Sequence, residues 1–195
     1  GIKKTSGALH IGAMTSHREV ETSPQVREHI PLLAEAYQRV ATVRIRNMAT
    51  VGGGLAHADP NQDPQPALIV LGAMAILSSN AGAREVSIEE LSSGYYETTI
   101  APNEILTEVV VPIPNPNAVS AFIKFLPRTE DDYATVSVAV LLSSDSNMNC
   151  REVRIGLGSC SVTAVRARQA EGILEGLPLT PQRLRDTARA VAEEV

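Results

Sequence analysis

The sequence predicts an α+β fold that ends in a three-stranded antiparallel sheet covered by helices. Three runs near the C terminus alternate apolar and polar residues as half-buried strands do: 121–126, 134–142 and 152–158. Two segments with the apolar spacing of helices follow at 163–174 and 181–195. Because a sheet with one apolar face must bury it, these helices are expected to cover that face.

Composition excludes several classes of function. The 195 residues are 44% hydrophobic, enough for one large domain or two small ones. The net charge of -5, without a basic run, disfavours nucleic acid and anionic membrane surfaces as partners. No apolar run approaches the roughly 18 residues of a membrane span. Cys150 and Cys160 bracket one extended segment and cannot pair with each other, so we expect a reduced, cytoplasmic protein.

The first 40 residues predict one strand and two helices. Residues 8–15 alternate as a half-buried strand does. Ser16 or Thr15 can cap a short helix over 17–21. Pro31 suits the first turn of another helix. Its apolar face carries Leu33, Ala36, Tyr37 and Val40.

Turn-forming residues punctuate the next part of the chain. Pro64 and Pro66 open a helix that Gly72 ends. The remaining elements are strands over 73–78 and 84–88 around a turn at 80–82, a helical turn over 89–91, and a strand over 104–111.

A proline-rich segment, Pro112-Ile113-Pro114-Asn115-Pro116-Asn117, marks the clearest boundary. We therefore divide the chain into domains at 1–114 and 115–195. In the second domain, residues 145–147 form a hairpin tip, and Thr180 caps the last helix. The apolar face of that helix carries Leu184, Ala188, Val191 and Val195.

The segment Thr50-Val51-Gly52-Gly53-Gly54-Leu55-Ala56-His57-Ala58-Asp59-Pro60-Asn61-Gln62-Asp63 holds the only triple glycine. Three interpretations stay open. The segment could be a connecting surface turn, a metal site of His57, Asp59 and Asp63, or a loop whose glycine amides cradle an anion or a dinucleotide. The spacing fits neither a Walker loop nor a Rossmann fingerprint, so a nucleotide site here needs another family.

One family has this pattern. Arg46-Asn47-Met48-Ala49-Thr50-Val51-Gly52-Gly53-Gly54-Leu55-Ala56-His57-Ala58-Asp59-Pro60, followed by Asp63, resembles the second FAD-binding motif of the molybdenum hydroxylase flavoproteins. These include the medium subunits of carbon monoxide dehydrogenase and the flavin domain of xanthine dehydrogenase. The resemblance continues through 94–98, 104–108, 121–124 and Arg128-Thr129-Glu130-Asp131-Asp132-Tyr133-Ala134.

The resemblance implies a fold and a function. Residues 1–114 would be the second subdomain of the FAD-binding fold, and 115–195 the flavoprotein C-terminal domain. The chain would be the FAD-binding, electron-transfer subunit of an oxidoreductase, a molybdenum hydroxylase. It would pass electrons from 2Fe-2S clusters in a small subunit to an external acceptor, while a large subunit binds molybdopterin and hydroxylates the substrate. No residue of this chain would be catalytic.

The same resemblance assigns cofactor contacts. The expected FAD-binding residues are Thr50, Gly52, Gly53, Gly54, His57, Asp63, Leu106 and Lys124. The glycine segment would contact the phosphates and the ribityl chain, Leu106 would pack on the flavin side, and Lys124 would lie near the isoalloxazine ring. The alternatives are an outward-facing Lys124 and a His57 that only satisfies its own hydrogen bonds. A positive charge near a flavin stabilises its anionic reduced form.

The sequence departs from the family pattern in two places. Gly54 replaces the asparagine or serine common at that position. The first FAD motif, an Ala-Gly-Gly-Thr-Asp-Leu type loop in an N-terminal subdomain, is not in these 195 residues. We therefore expect residues 1–195 alone to bind FAD weakly. Two rival functions stay open: a cofactor-free scaffold of the same fold, and a stand-alone enzyme for another phosphorylated ligand.

Two further clusters have simpler explanations. Glu130, Asp131 and Asp132 could provide acid–base chemistry but are expected to be a solvated turn. Tyr95 and Tyr96 could shield a ring but are expected to pack.

Overall fold

The computed structural model of the protein describes residues 1–127, 129 and 131–195, and it has the predicted α+β fold. The strands are β1 Ile2–Lys4, β2 Ala8–Gly12, β3 Met74–Ser79, β4 Gly82–Ser87, β5 Ser92–Gly94, β6 Glu97–Thr98, β7 Ile105–Pro112, β8 Val119–Phe125, β9 Val136–Ser144, β10 Cys150–Gly158 and β11 Val165–Arg166. The helices are α1 His17–Thr22, α2 Pro24–His29, α3 Pro31–Gln38, α4 Val43–Met48, α5 Val51–His57, α6 Pro64–Val70, α7 Ile88–Leu91, α8 Arg168–Gly172 and α9 Pro181–Glu194.

Two antiparallel sheets organise the described chain. The first has five strands in the order β1-β2-β7-β3-β4, and the second has four in the order β11-β10-β9-β8. Strands β5 and β6 form a separate small hairpin. The C-terminal antiparallel sheet is thus confirmed, although it has four strands where three were expected.

Local signals predicted most of the first half correctly. Ser16 caps α1 in a capping box with Glu19, Pro31 opens α3, and Gly72 follows α6 with a φ of 68°. The pattern missed β1, α2, α4 and the small β5–β6 hairpin.

The helix predicted over 163–174 is wrong in its first part. Val165 and Arg166 form β11, which pairs with Leu157 and Gly156 of β10, and only Arg168–Gly172 is helical. The edge of β10 supplies hydrogen-bond partners for the backbone of these residues, and this pairing outweighs the helical preference indicated by the local apolar spacing. This short strand is the fourth strand of the sheet.

Both faces of the second sheet are covered, whereas the sequence predicted that helices cover only one face. Helix α6 packs so closely against β10 that a Cβ at Gly156 would lie 2.7 Å from the Pro66 carbonyl oxygen. The opposite face holds a separate apolar cluster that includes Val153 and Ile155 of β10 together with Ala170 and Leu174. Helix α6 therefore joins the second sheet to the core of the first half.

Helix α9 begins at its predicted cap, Thr180, but does not bury the predicted face. Leu184 is 47% exposed and Val195 is 44% exposed. The one buried residue is Thr187, and of the predicted face Val191 packs against the apolar cluster. The helix is therefore rotated relative to the prediction, and the Glu194 carboxylate near its end accepts the Gln169 and Ala170 amides of α8.

Strand β8 is inverted relative to its hydrophobic pattern. Ile123 and Phe125 are 65% and 56% exposed, whereas the side chain of Lys124 is only 2% exposed. Phe122 lies on the same side as Lys124 and enters the main core. The apolar alternation had predicted that Ile123 and Phe125 face the core. In the structure they face outward, and Lys124 points inward.

The larger of the two apolar clusters in the described chain links both halves. Its buried members run from Leu9 in β2 to Ala164 beyond β10. Within the described ranges, none of the helices combines the length and the apolar character that crossing a bilayer requires.

Candidate functional site

The triple glycine lies in a helix and not in a loop, which corrects the expectation from sequence. Thr50 is the N-cap of α5, and its Oγ1 accepts a hydrogen bond of 3.2 Å from the Gly53 amide. None of the three glycines has a positive φ. Their role is to permit close approach, since they require no left-handed backbone.

A backing segment formed by residues 13–17 fixes the start of α5. The Val51 amide donates to the Thr15 carbonyl over 2.9 Å, and the Gly52 amide donates to the Ala13 carbonyl over 2.8 Å. Ser16 and Thr50 form an isolated antiparallel bridge.

All four amides from residue 51 to residue 54 have partners within the protein. The Gly53 amide donates to Thr50 Oγ1, and the Gly54 amide donates to the Thr50 carbonyl over 2.9 Å. The interpretation in which free glycine amides cradle an anion is therefore wrong.

Each glycine faces a different neighbour. A Cβ at Gly52 would lie 2.5 Å from the Cβ of Ala13, so this glycine allows α5 to touch the end of β2. A Cβ at Gly53 would meet Thr50 Oγ1 at 2.8 Å, and one at Gly54 would meet Gln62 Oε1 at 2.8 Å. Gln62 in turn donates through Nε2 to the Gly54 carbonyl over 3.1 Å.

A cavity of about 650 Å³ opens beside α5. Six of the eight residues expected to bind the cofactor line it: Thr50, Gly53, Gly54, His57, Asp63 and Lys124. The structure does not bring the other two to its wall. Gly52 is packed against Ala13. Leu106 is 7% exposed in the main core, opposite Leu77 of β3.

A buried ion pair closes one side of the cavity. Lys124 Nζ lies 2.9 Å from Asp63 Oδ2 and donates to the Arg39 carbonyl over the same distance. The outward-facing alternative for Lys124 is therefore wrong. Burial raises the pKa of Asp63 to about 6, against the opposing effect of Lys124. Asp63 Oδ1 is buried, and no residue of the described ranges offers it a hydrogen bond.

The rings of His57 and Tyr133 line another side of the cavity together with the buried carboxylate of Asp59. Asp59 is 1% exposed, and its interaction with the phenol raises the pKa of Tyr133 to about 12. The rings of His57 and Tyr96 lie 5.0 Å apart, and Tyr95 stacks edge-on against Tyr96. Tyr95 and Tyr96 are 61% and 44% exposed, so they pack on their neighbours at the surface and not in the core.

The acidic segment after β8 is partly outside the described residues. Arg128 and Glu130, which belong to the family motif, lie there. Asp131 and Asp132 are exposed, and the Asp132 amide closes a turn with the Thr129 carbonyl. Both aspartates line the cavity. No group of three His, Cys, Asp or Glu side chains suited to a metal ion occurs in the described part of the chain.

Sequence reasoning missed several residues of the cavity wall. His17 and Gln62 line it, although they entered the prediction only as the start of a helix and as part of the glycine segment. Tyr133 also lines it and was cited only as part of a motif. Their position follows from contacts between distant segments, so no local pattern marks them.

Comparison with protein families matches almost the whole chain. Residues 1–114 match the family described as the FAD binding domain in molybdopterin dehydrogenase. Residues 121–195 match the carbon monoxide dehydrogenase flavoprotein C-terminal domain.

Individual relatives agree with this match. The chain is 32% identical over 192 residues to the 6-hydroxypseudooxynicotine dehydrogenase complex subunit alpha of Paenarthrobacter nicotinovorans, covering 98% of this chain and 64% of that protein. It is 34% identical over 195 residues to the carbon monoxide dehydrogenase medium chain of Afipia carboxidovorans, covering 100% and 67%. The chain therefore spans about two thirds of the length of these relatives.

Solved structures have the same fold. Carbon monoxide dehydrogenase from Hydrogenophaga pseudoflava, in a form lacking the Mo-pyranopterin moiety, superposes with a TM-score of 0.93 at 34% identity, over 97% of this chain and 66% of that one. Quinoline 2-oxidoreductase from Pseudomonas putida 86 superposes with a TM-score of 0.91 at 33% identity, over 99% and 66%.

Proposed function

The chain belongs to the family described as the FAD binding domain in molybdopterin dehydrogenase, and on that premise we propose that it is the FAD-binding, electron-transfer subunit of a molybdenum hydroxylase. Its partners are then a molybdopterin-binding large subunit and a small subunit with 2Fe-2S clusters. Relatives named as medium chains or complex subunits of dehydrogenases support this assignment.

The cavity beside α5 suits part of an FAD molecule. The observation that carries the proposal is the buried Asp63 Oδ1 on a cavity wall, an acceptor that finds no hydrogen-bond partner among the residues that the structure describes. A buried acceptor of this kind is costly unless a donor reaches it, and the hydroxyl and N–H groups of FAD are such donors. At Gly53 and Gly54 the cavity wall is backbone without side chains, so a ligand can approach it closely.

Six residues would hold the cofactor: Thr50, Gly53, Gly54, His57, Asp63 and Lys124. Gly52 and Leu106 would act by packing behind that wall. Bound FAD would accept electrons and deliver them to an external acceptor. Because the amides of residues 51–54 already have partners, we assign this wall to polar parts of FAD other than a phosphate held by those amides.

The charge of Lys124 is not free in this arrangement. Asp63 lies 2.9 Å away and offsets it, so the net charge at this wall depends on both residues. Lys124 would tune the flavin potential as one member of a pair and not as an isolated cation.

The proposal includes the division of the chain and its setting. Residues 1–114 form the FAD-binding part and 115–195 the C-terminal flavoprotein domain. Helix α6 would hold them in one body through its contact with Gly156. Cys150 and Cys160 are both free thiols, which favours a reduced compartment such as the cytoplasm.

The test is to purify the protein with its partner subunits and measure flavin per protein by its absorbance. We expect stoichiometric flavin in the wild type. A Gly53→Leu variant, which fills the cavity wall, should lose flavin while the subunits still assemble. Gly7→Leu is the matched control, because nothing lies within 4 Å of a Cβ at Gly7. A wild-type complex that contains no flavin and takes up none from added FAD would overturn the proposal and favour the scaffold.

A further inference from the structure

His17 is a buried imidazole in the cavity wall that none of the expected contacts uses. It opens α1, is 5% exposed, and lines the cavity together with Gly54. Its backbone amide donates to the Ala49 carbonyl over 2.9 Å. The residue therefore belongs to the backing segment that fixes the start of α5.

Among the described residues the imidazole makes one hydrogen bond, which reaches the N-cap of α5. His17 Nε2 lies 3.1 Å from the Thr50 carbonyl oxygen. Since a carbonyl can only accept, Nε2 carries the proton. The same carbonyl accepts the Gly54 amide over 2.9 Å, so His17 and the helix share its two lone pairs.

The rest of the ring is enclosed by protein. Nδ1 is buried and has no hydrogen-bond partner in the described part of the chain. The ring packs edge-on against Tyr37, with the two centroids 4.9 Å apart. Burial lowers the pKa of His17, and the nearby positive charge of Arg46 acts in the same direction, while the bond to Thr50 opposes them. His17 is thus neutral, with a fixed tautomer.

The ring also lies beside the glycine face. A Cβ at Gly54 would sit 3.4 Å from His17 Nε2. The imidazole therefore contacts both the capping residue and the side of α5 that lacks side chains. A shift of this ring would move Thr50 and narrow the cavity at Gly54.

We propose that His17 is a positioning residue for the cofactor site, which holds the Thr50 carbonyl so that the glycine face of α5 stays open to the ligand. This inference rests on the proposed function for the identity of the ligand. The positioning itself is a property of the protein without ligand. The feature that this role requires is the hydrogen bond of the His17 imidazole, and not only the volume of the ring.

Three variants separate the hydrogen bond from packing. His17→Gln keeps an N–H donor near the position of Nε2, whereas His17→Leu fills the space without one. The control is His10→Leu: His10 lies on β2, and its Nδ1 is 2.9 Å from Oε2 of Glu108 on β7. His10 does not line the cavity.

The first measurement is FAD affinity of the flavin-depleted complex, followed by fluorescence quenching. We expect His17→Leu to bind about tenfold more weakly than wild type, equivalent to about 1.4 kcal/mol. His17→Gln and His10→Leu should stay close to wild type. Equal binding by His17→Leu and wild type, or equal losses in His17→Leu and His17→Gln, would overturn the inference.

The second measurement needs no flavin. Amide hydrogen exchange at Gly53 and Gly54 should be faster in His17→Leu than in His17→Gln, and unchanged exchange would contradict the positioning role. If wild type binds no FAD but this difference appears, the proposed function fails while the positioning inference stands. Should His17→Leu not fold, the nitrogen-15 spectrum of wild type decides: we expect His17 protonated at Nε2, and protonation at Nδ1 alone would exclude the bond to Thr50.

Discussion

Lys124 and Asp63 form an ion pair of 2.9 Å across 61 residues of sequence, with both side chains buried. The lysine comes from β8, and the aspartate immediately precedes α6. The pair therefore joins the two halves of the chain at the wall of the cavity. Breaking it affects both the stability of the fold and the charge of the site.

Lys124→Met should destabilise the protein in a pH-dependent manner. Removing one partner of a buried pair leaves an uncompensated charge, at a cost of about 3–5 kcal/mol. We expect that loss at pH 8 and a smaller one at pH 5, where Asp63 can take up a proton. Chemical denaturation at both pH values measures the difference. Lys3→Met, at an exposed site, is the control.

In the complex, the flavin potential of Lys124→Met should shift while substrate hydroxylation stays largely intact.

Asp63→Asn should remove one pH dependence of stability. The pKa of Asp63 is raised from 3.8 to about 6, so its contribution is fully present below pH 3.8 and is lost as pH rises through about 6. The stability of Asp63→Asn relative to wild type should therefore increase between pH 4 and pH 7, by up to about 3 kcal/mol for a shift of about two pKa units. Urea titrations across that range test this. A constant difference would show that Asp63 titrates normally.

Gly52→Ala should destabilise the fold more than its helical position suggests. The added Cβ would lie 2.5 Å from the Cβ and 3.0 Å from the Cα of Ala13, and backbone cannot move away as a flexible side chain can. We expect a loss of about 1–3 kcal/mol, as for overpacked cores. Gly7→Ala, which meets no neighbour, should leave the melting temperature nearly unchanged.

Gly54 and Gln62 should show coupled effects. A side chain at residue 54 would collide with Gln62 Oε1 at 2.8 Å, and the same glutamine donates to the Gly54 carbonyl. We expect Gly54→Asn to destabilise alone and to be tolerated better when combined with Gln62→Ala. A double-mutant cycle should give a coupling energy of about 0.5–2 kcal/mol. Strict additivity would mean that Gln62 does not occupy this space.

Thr50→Ala and Thr180→Ala offer a matched pair of cap removals. Each threonine accepts a hydrogen bond from the third helical amide, at 3.2 Å for Thr50 and 3.3 Å for Thr180. Both changes should lower stability by about 1 kcal/mol. Only Thr50→Ala should also weaken flavin binding, because Thr50 lines the cavity and Thr180 does not. Equal flavin affinity in the two variants would argue against a role for Thr50 in the site.

Local sequence determined the parts of this protein that depend on neighbouring residues. Ser16 and Thr180 were predicted as caps and Gly72 as a helix end because each acts within one helical turn. The motif around Thr50 and the glycines indicated the family for the same reason, because its residues are consecutive in the sequence.

Tertiary contacts decided the rest. The triple glycine became a helix because residues 13–17 bind its first turn, and 165–166 became a strand because β10 offered an unpaired edge. Lys124 turned inward because Asp63 and the Arg39 carbonyl receive its ammonium group there. In each case the partner belongs to another element of the fold, and a local pattern carries no information about a backbone edge or a charge that only folding brings near.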